Sequence, residues 1–429
     1  MNLDAYLPKN LKKEEREALY SSFEKEQTHS LVLNPSKMSD EEFQTRFPKA
    51  IPHPFLKHVY SYKKEDYEFG KMALYDLGCY SIQDSAAMVP PFILSPKKGE
   101  TVLDLCAAPG GKSIFLSLLS NQESVILAND ISLSRAKELS SNVERMGLGN
   151  VIVTNDDFSK KSPYYASFFD CIMLDAPCSG SAMARKNAQA KVEWSPSKME
   201  RCVELQLALL EQAYAMLKPG GRMVYSTCSF CYEEDEGALL SFLKKHGDMH
   251  PSKTDERPGY FHGEDLPEGV YLFPSLYEGE GQFFCLLKKN GEIPSFRKEP
   301  PKKSLDDEFF SFFGLEGRYN YESNDSLWSL PFYFPISNLQ VLRGGLKVAS
   351  SPFEEPDHAL SHYLPSSFQV ELDENKALRF LKGETFPLDL GDGYYLASYS
   401  GKGLGFFKMV KGQMKNRYPK GLRRNYRFI

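Results

Sequence analysis

Thr101-Val102-Leu103-Asp104-Leu105-Cys106-Ala107-Ala108-Pro109-Gly110-Gly111-Lys112-Ser113 decides the architecture. Its first five residues form a short apolar run typical of a buried strand, and the small residues and glycines that follow let a backbone approach a ligand closely. The turn is neither common phosphate cradle: Cys106 stands where a Walker A loop needs its first glycine, and the G-x-G-x-x-G spacing is missing. Outward from it the alternation repeats. Val125 to Ala128 and Val151 to Val153 read as buried strands, followed by Phe169 to Leu174, Arg222 to Ser226 and Gln282 to Leu287. Leu133, Ala136, Leu139, Val143 and Met146 form one helical stripe, and Val203, Leu207, Leu210, Tyr214 and Leu217 another, expected to stop at Gly220-Gly221. Strands alternating with helices in this way imply a doubly wound α/β core, a mostly parallel sheet covered on both faces.

The flanks read differently. Residues 1–70 form a small helical or mixed segment, helix-like from Glu14 to Glu26 and then broken by prolines at 48, 52 and 54. The core spans 71–290. Residues 291–304, with Pro294, Pro300 and Pro301 among charged side chains, are the best linker. An intermediate segment over 305–350 and a mostly β module over 351–429 follow, built from short Phe- and Tyr-rich runs.

The net charge of −5 argues against a nucleic-acid partner only if charge is evenly spread. It is not. Beyond Asp392 there is no acidic residue, while nine Lys or Arg residues interleave with eight aromatics. Phosphate attraction is screened within roughly 8 Å, so local asymmetry is what counts. Rings of this kind can stack on unpaired bases, although for most of them the core of a small β barrel is the preferred reading. No apolar run reaches the roughly 20 residues of a membrane span, and the first residues lack a secretory pattern. The expectation is a cytoplasmic, monomeric protein that binds no membrane, with its eight cysteines reduced. No metal is expected, because a zinc site needs about four Cys or His ligands and no second close pair is offered.

Ligands of open α/β sheets sit at the carboxyl ends of the strands. Asp130, at the end of the second strand, is placed to accept both hydrogen bonds of a ribose diol, and Asp156 or Asp157, after the third, to meet an adenine amino group. Acids at two successive strand ends after a Gly-rich turn point to a nucleoside cofactor. Two cysteines then follow strand ends, in Asp175-Ala176-Pro177-Cys178-Ser179-Gly180 and in Tyr225-Ser226-Thr227-Cys228-Ser229. A cysteine in such a polar rim is a candidate for chemistry, whereas Cys171, Cys202 and Cys285 read as small buried hydrophobes.

In order and spacing these segments resemble the signature segments of the RNA cytosine-C5 methyltransferases, the Fmu/Nol1/Nop2/Sun family. Ile82-Gln83-Asp84-Ser85-Ala86-Ala87-Met88 and Glu233-Glu234-Asp235-Glu236 extend the match. The tail, with Lys415-Asn416-Arg417-Tyr418-Pro419-Lys420-Gly421-Leu422-Arg423, looks like the subgroup acting on small-subunit ribosomal RNA. The resemblance implies a seven-stranded Rossmann-like core, a PUA-like C-terminal module, and S-adenosyl-L-methionine (SAM) as cofactor. SAM would be held by Cys106, Ala107, Ala108, Pro109, Gly110, Gly111, Lys112, Asp130, Arg135, Asp156, Asp157 and Asp175. It implies a ribosomal RNA or small-subunit partner and an N-terminal segment that binds RNA.

Carbon 5 of cytosine is a poor nucleophile, so a thiolate must first add to carbon 6. The resemblance gives that role to Cys228, product release to Cys178, and the base edge to Asp175; Lys112 is expected either to lower the thiol pKa values or to hold the RNA backbone. Arg185 and Lys186 are expected at phosphate or as a solvated loop. The family's usual arginine is replaced by Val32, and an Arg and a His are missing around Tyr271 to Ser275, which implies altered RNA contacts. Three other readings compete: a redox C-x-x-C at Cys228 and Cys231, a transfer-RNA target, and a non-catalytic assembly factor that kept the fold.

Overall fold

A computed structural model describes residues 3–184, 194–293, 304–305, 308–351, 355–364 and 369–423. The basic pair Arg185 and Lys186 and most of the expected linker lie outside the described residues.

Ten strands form the central sheet. Thr101–Asp104 lies in the middle, parallel to Val125–Asn129 on one side and Phe169–Asp175 on the other. Val151–Thr154 continues the first direction and Leu217–Thr227 the second, both parallel. Gln282–Lys289 then adds antiparallel to Leu217–Thr227, with Met249–Ser252 antiparallel to it in turn. Six of these are the strands read from the sequence; Met249–Ser252, Phe261–His262, Val270–Leu272 and Val341–Gly344 were not, and they correct the expected count of seven to ten. Val341–Gly344 pairs with Val151–Thr154 and covers an edge that would otherwise expose unpaired backbone groups. No local pattern reveals such a partner from a distant segment.

Period-two alternation splits each strand between two cores. Leu103, Leu127, Ile172 and Leu174 enter one apolar cluster, and Val102, Ile126, Ala128, Cys171 and Met173 the other. Helices Gly111–Leu119, Leu133–Met146 and Pro196–Met216 connect the strands. The last ends four residues before Gly220-Gly221, because Leu217 is already extended and the two glycines belong to the following strand. Gly221 allows close strand approach there: an added Cβ would lie 2.9 Å from the Asp170 carbonyl oxygen.

The boundary at 70 does not describe the fold. Leu3, Leu7, Leu11, Leu19 and Phe23 are buried in the core cluster that also holds Leu174 and Tyr225. The first helix is Lys13–Ser22, shorter than the Glu14 to Glu26 expected. A separate four-stranded sheet runs from Ile51–Pro52 through Val59–Tyr62 and His29–Leu33 to Tyr80–Ile82, so the N-terminal layer extends beyond residue 70. Its Leu31, Leu33, Phe43 and Phe69 share a hydrophobic cluster with Phe380, Phe407 and Tyr418 of the C-terminal module. The intermediate segment forms a three-stranded sheet of its own, Tyr319–Ser323, Ser326–Leu330 and Leu346–Ser350, and joins the core through Val341–Gly344.

The C-terminal module carries strands Gln369–Glu371, Gly393–Tyr399, Lys402–Val410 and Gln413–Asn416. Phe406, Phe407 and Tyr418 are core, as the barrel reading expected. Lys402 is buried and pairs with Glu42 of the N-terminal layer at 2.7 Å, which removes it from the basic surface. Lys411, Lys415, Arg417 and Lys420 are exposed. Replacing Lys411, Lys415 and Lys420 together by alanine is expected to reduce the slope of log Kd against log salt for single-stranded RNA by about 2, at roughly 0.7 per lost phosphate contact. Fluorescence anisotropy across a salt series checks this; an unchanged slope means that RNA does not run over this surface.

Candidate active site

The chain order of the sheet reverses around Thr101–Asp104, the crossover that opens a crevice at the strand carboxyl ends. Asp104, Asn129, Thr154, Asp175 and Thr227 end their strands on this rim.

On one side lies the loop 105–110. Ala107 donates its N–H to the Asn129 carbonyl at 2.8 Å, and Asn142 donates to the Pro109 carbonyl at 3.0 Å. Gly110 has φ +113°, and a Cβ there would meet Leu139 Cδ1 at 2.7 Å. Gly111 begins the next helix, and a Cβ on it would run into the side chain of Gln83, which ties the upstream signature segment to the loop. Arg135 donates to the Ala108 carbonyl at 2.6 Å and pairs with Asp130 at 3.3 Å, linking loop and carboxylate. Asp130 is buried and accepts the Ser132 N–H at 2.9 Å.

Asp104 is fully buried. Burial pushes its carboxyl up to about 7 although Ser113 donates to Oδ2 at 2.6 Å, and Oδ1 has no partner. Cys106 is held as a neutral thiol by burial. The donors and acceptors around this cradle suit a nucleoside with a charged tail: a left-handed glycine for close approach, an unpartnered buried acceptor, and a second carboxylate one strand away.

Asp156 and Asp157 part company. Asp156 is buried, accepts the Gln340 N–H at 2.9 Å, and lies 3.7 Å from Lys161. Asp157 caps the short helix Phe158–Lys161 through Ser159 and pairs with Lys160 at the surface.

On the other side of the crevice, Asp175 faces Ser226 in register. Its Oδ1 accepts from Ser226 Oγ at 2.7 Å and Gln282 Nε2 at 3.0 Å, and its Oδ2 from Lys112 Nζ at 2.8 Å. Burial works against the Lys112 cation, but Asp175 beside it prevails and raises its pKa above the ordinary lysine value. Cys178 follows Asp175 by three residues and Cys228 follows Ser226 by two, so both thiols emerge together, Sγ to Sγ 2.8 Å. The hydrogen bond to Cys228, reinforced by burial, pushes the Cys178 thiol well above its usual range.

Cys171 and Cys285 are buried as expected, whereas Cys202 is half-exposed on the helix Pro196–Met216. Cys231 is turned into the core, where burial pushes its thiol up to about 12. Cys228 contacts Cys178 instead, which disposes of the C-x-x-C reading. Among the described residues there is no cluster of three metal-ligating side chains, and no helix is long and apolar enough to cross a membrane. Sequence reasoning passed over Ser226 and Gln282. Gln282 opens a strand and comes to Asp175 only because that strand pairs antiparallel with Leu217–Thr227.

The family model described as 16S rRNA methyltransferase RsmB/F matches residues 91–288, and the RsmF PUA domain model matches 367–424. The chain is 30% identical to the ribosomal RNA small subunit methyltransferase F of Shewanella loihica over 438 positions, covering 92% of this chain and 89% of that protein. The Shewanella oneidensis protein of the same name is 30% identical over 430 positions, with 92% and 90% covered. A crystal structure of a methyltransferase homolog from Pyrococcus horikoshii superposes with a TM-score of 0.56 at 30% identity, covering 63% of this chain and 90% of that one. The chain belongs to the RsmB/F family of 16S rRNA methyltransferases and is a SAM-dependent RNA cytosine-C5 methyltransferase.

Proposed function

We propose that the chain methylates carbon 5 of a cytosine in 16S ribosomal RNA, with Cys228 as the nucleophile that adds to carbon 6. The paired thiols at 2.8 Å carry this reading. The family resemblance gives the attack to the cysteine of the Thr227-Cys228 segment, and Cys178 lies against its sulfur. Lys112 spends its charge on Asp175 at 2.8 Å with its side chain only 10% exposed, so it acts on the site and not on the RNA backbone. Asp175, oriented by Ser226, Gln282 and Lys112, holds the polar edge of the base and steadies it while the thiolate adds. SAM, when bound, supplies the methyl group. After transfer, loss of the C5 proton and departure of the Cys228 sulfur complete the turnover, and the Cys178 thiol stands ready to hydrogen bond the departing sulfur.

The loop 105–110 would hold the cofactor, with Asp130 on the ribose and Asp156, in preference to the surface cap Asp157, on the adenine side. We place the enzyme in the cytoplasm as a monomer: its eight cysteines are free, which suits a reducing compartment. The target is named from the relatives, which are called small-subunit ribosomal RNA methyltransferases.

With 5-fluorocytosine-substituted ribosomal RNA and SAM, the fluorine blocks the final elimination and a covalent adduct should accumulate. Cys228→Ser is expected to abolish the adduct on a denaturing gel and Cys178→Ser to retain it; the reverse pattern would reassign the nucleophile. Gly110→Ala is expected to weaken SAM binding roughly tenfold by calorimetry, because a side chain at this φ costs about 1–2 kcal/mol. Asp156→Asn should weaken it too, and Asp157→Asn should leave it unchanged; an equal loss in both would return the adenine contact to Asp157.

A further inference from the structure

The segment Glu233-Glu234-Asp235-Glu236 follows the Cys228 loop, and its last three residues are fully buried. A buried carboxylate is costly unless its oxygens are filled with donors. Different neighbours meet the three, and only Asp235 keeps one oxygen, Oδ2, without a partner among the described residues. Asp235 accepts from Thr227 Oγ1, and Glu236 accepts the N–H groups of Asp265 and Leu266 at 3.1 and 2.9 Å. Glu234 does something more specific. Its Oε1 accepts the Ser179 N–H at 2.7 Å and its Oε2 accepts both the Ser179 hydroxyl and, at 2.6 Å, the Ser229 hydroxyl. Ser179 directly follows Cys178, and Ser229 directly follows Cys228. One carboxylate therefore grips the residue after each thiol.

We propose that Glu234 is a positioning residue for methyl transfer, tying the Cys178 loop to the Cys228 loop and so setting the contact between the two sulfurs. The inference rests on the reading that these two cysteines act on the base. Glu234 touches neither of them through its carboxylate and reaches the chemistry only through the two serines.

Its own placement is fixed from both sides. The Tyr225 hydroxyl, on the strand that carries Cys228, donates to the Glu234 carbonyl at 2.6 Å. Gln206 donates to Glu234 Oε1 at 3.2 Å and to the Pro177 carbonyl at 2.9 Å, so the residue before Cys178 is held by the same lattice as the residue after it. Trp194 Nε1 adds a bond to Ser179 Oγ at 3.1 Å, and its ring meets Tyr6 of the N-terminal arm edge-on at 5.4 Å. Among the described residues the donors on the carboxylate are neutral serine and glutamine groups, so what these contacts supply is a set of hydrogen bonds between the loops. Strand register alone brings the two loops to the same rim; loops need such cross-links to hold reacting atoms within a few tenths of an ångström. A misplacement of about 1 Å can cost on the order of 10²-fold in rate.

The test uses the full-length protein with SAM and 5-fluorocytosine-substituted ribosomal RNA. Single-turnover adduct formation, RNA KM, SAM affinity and melting temperature are measured for Glu234→Ala, Glu234→Gln and the pair Ser179→Ala/Ser229→Ala. The expected result is a fall in the adduct-forming rate of about 10²-fold in Glu234→Ala, with RNA KM and SAM affinity within about threefold of the parent. Glu234→Gln should recover at least tenfold of that loss, because the amide oxygen still accepts the Ser179 N–H and both hydroxyls can turn to accept from the amide nitrogen. If Glu234→Ala does not fold, the serine pair carries the test, with the same loss of rate at unchanged SAM affinity. A rate within threefold of the parent in Glu234→Ala, or in the serine pair where Glu234→Ala does not fold, overturns the proposal. So does a rate in Glu234→Gln no better than in Glu234→Ala, or a loss of SAM affinity that parallels the loss of rate. An adduct that persists in Cys228→Ser would defeat the nucleophile assignment instead, and is read from a separate lane of the same experiment.

Discussion

Asp175 opposite Ser226, across two parallel strands, is the pairing on which the site depends. Parallel neighbours run in the same direction, so residues a short step beyond a paired position leave the sheet at the same height. Cys178 and Cys228 are those residues, and their sulfurs meet although fifty positions separate them in the chain. The Ser226 hydroxyl on Asp175 makes the register itself a hydrogen-bonded contact within the site. A slip of one residue would turn Asp175 toward the opposite face and part the thiols.

Electrostatics then divides the labour between groups of the same type. Two thiols lie in contact, and that contact together with burial raises the Cys178 thiol. Two carboxylates flank the cofactor loop; Asp104 is driven toward neutrality by burial, while Asp175 is matched to the Lys112 cation. Two adjacent aspartates follow one strand, and helix capping takes Asp157 to the surface while Asp156 stays inside. In each pair the side chains are alike and the surroundings decide the role.

Segments far from the motifs complete the body around the site. The N-terminal arm fills one face of the central sheet with Leu3, Leu7 and Leu11. The strand Val341–Gly344 closes the sheet edge, and the C-terminal module buries Phe407 and Tyr418 against the N-terminal layer. Basic residues such as Lys402, drawn inward to Glu42, are thereby lost from the exposed surface.

The chain order of strands and helices, the Gly-rich turn and the two cysteine segments were legible in the sequence because each is a local pattern: an apolar period, a turn composition, a short run after a strand. The reaction class followed from the family resemblance that those same runs carry. Tertiary structure alone decided what depends on which strands are neighbours. Gln282 reaches Asp175 through an antiparallel pairing, Glu234 reaches Ser179 across a gap of fifty-five residues, and the edge strand at Val341 arrives from beyond the linker. The ends of elements were likewise set by packing, as at Met216, where the helix yields to a strand before its glycines. Periodicity reports how each segment divides itself between core and water; it carries no record of which other segment will lie across the sheet, and the contacts that orient the reacting groups are of that second kind.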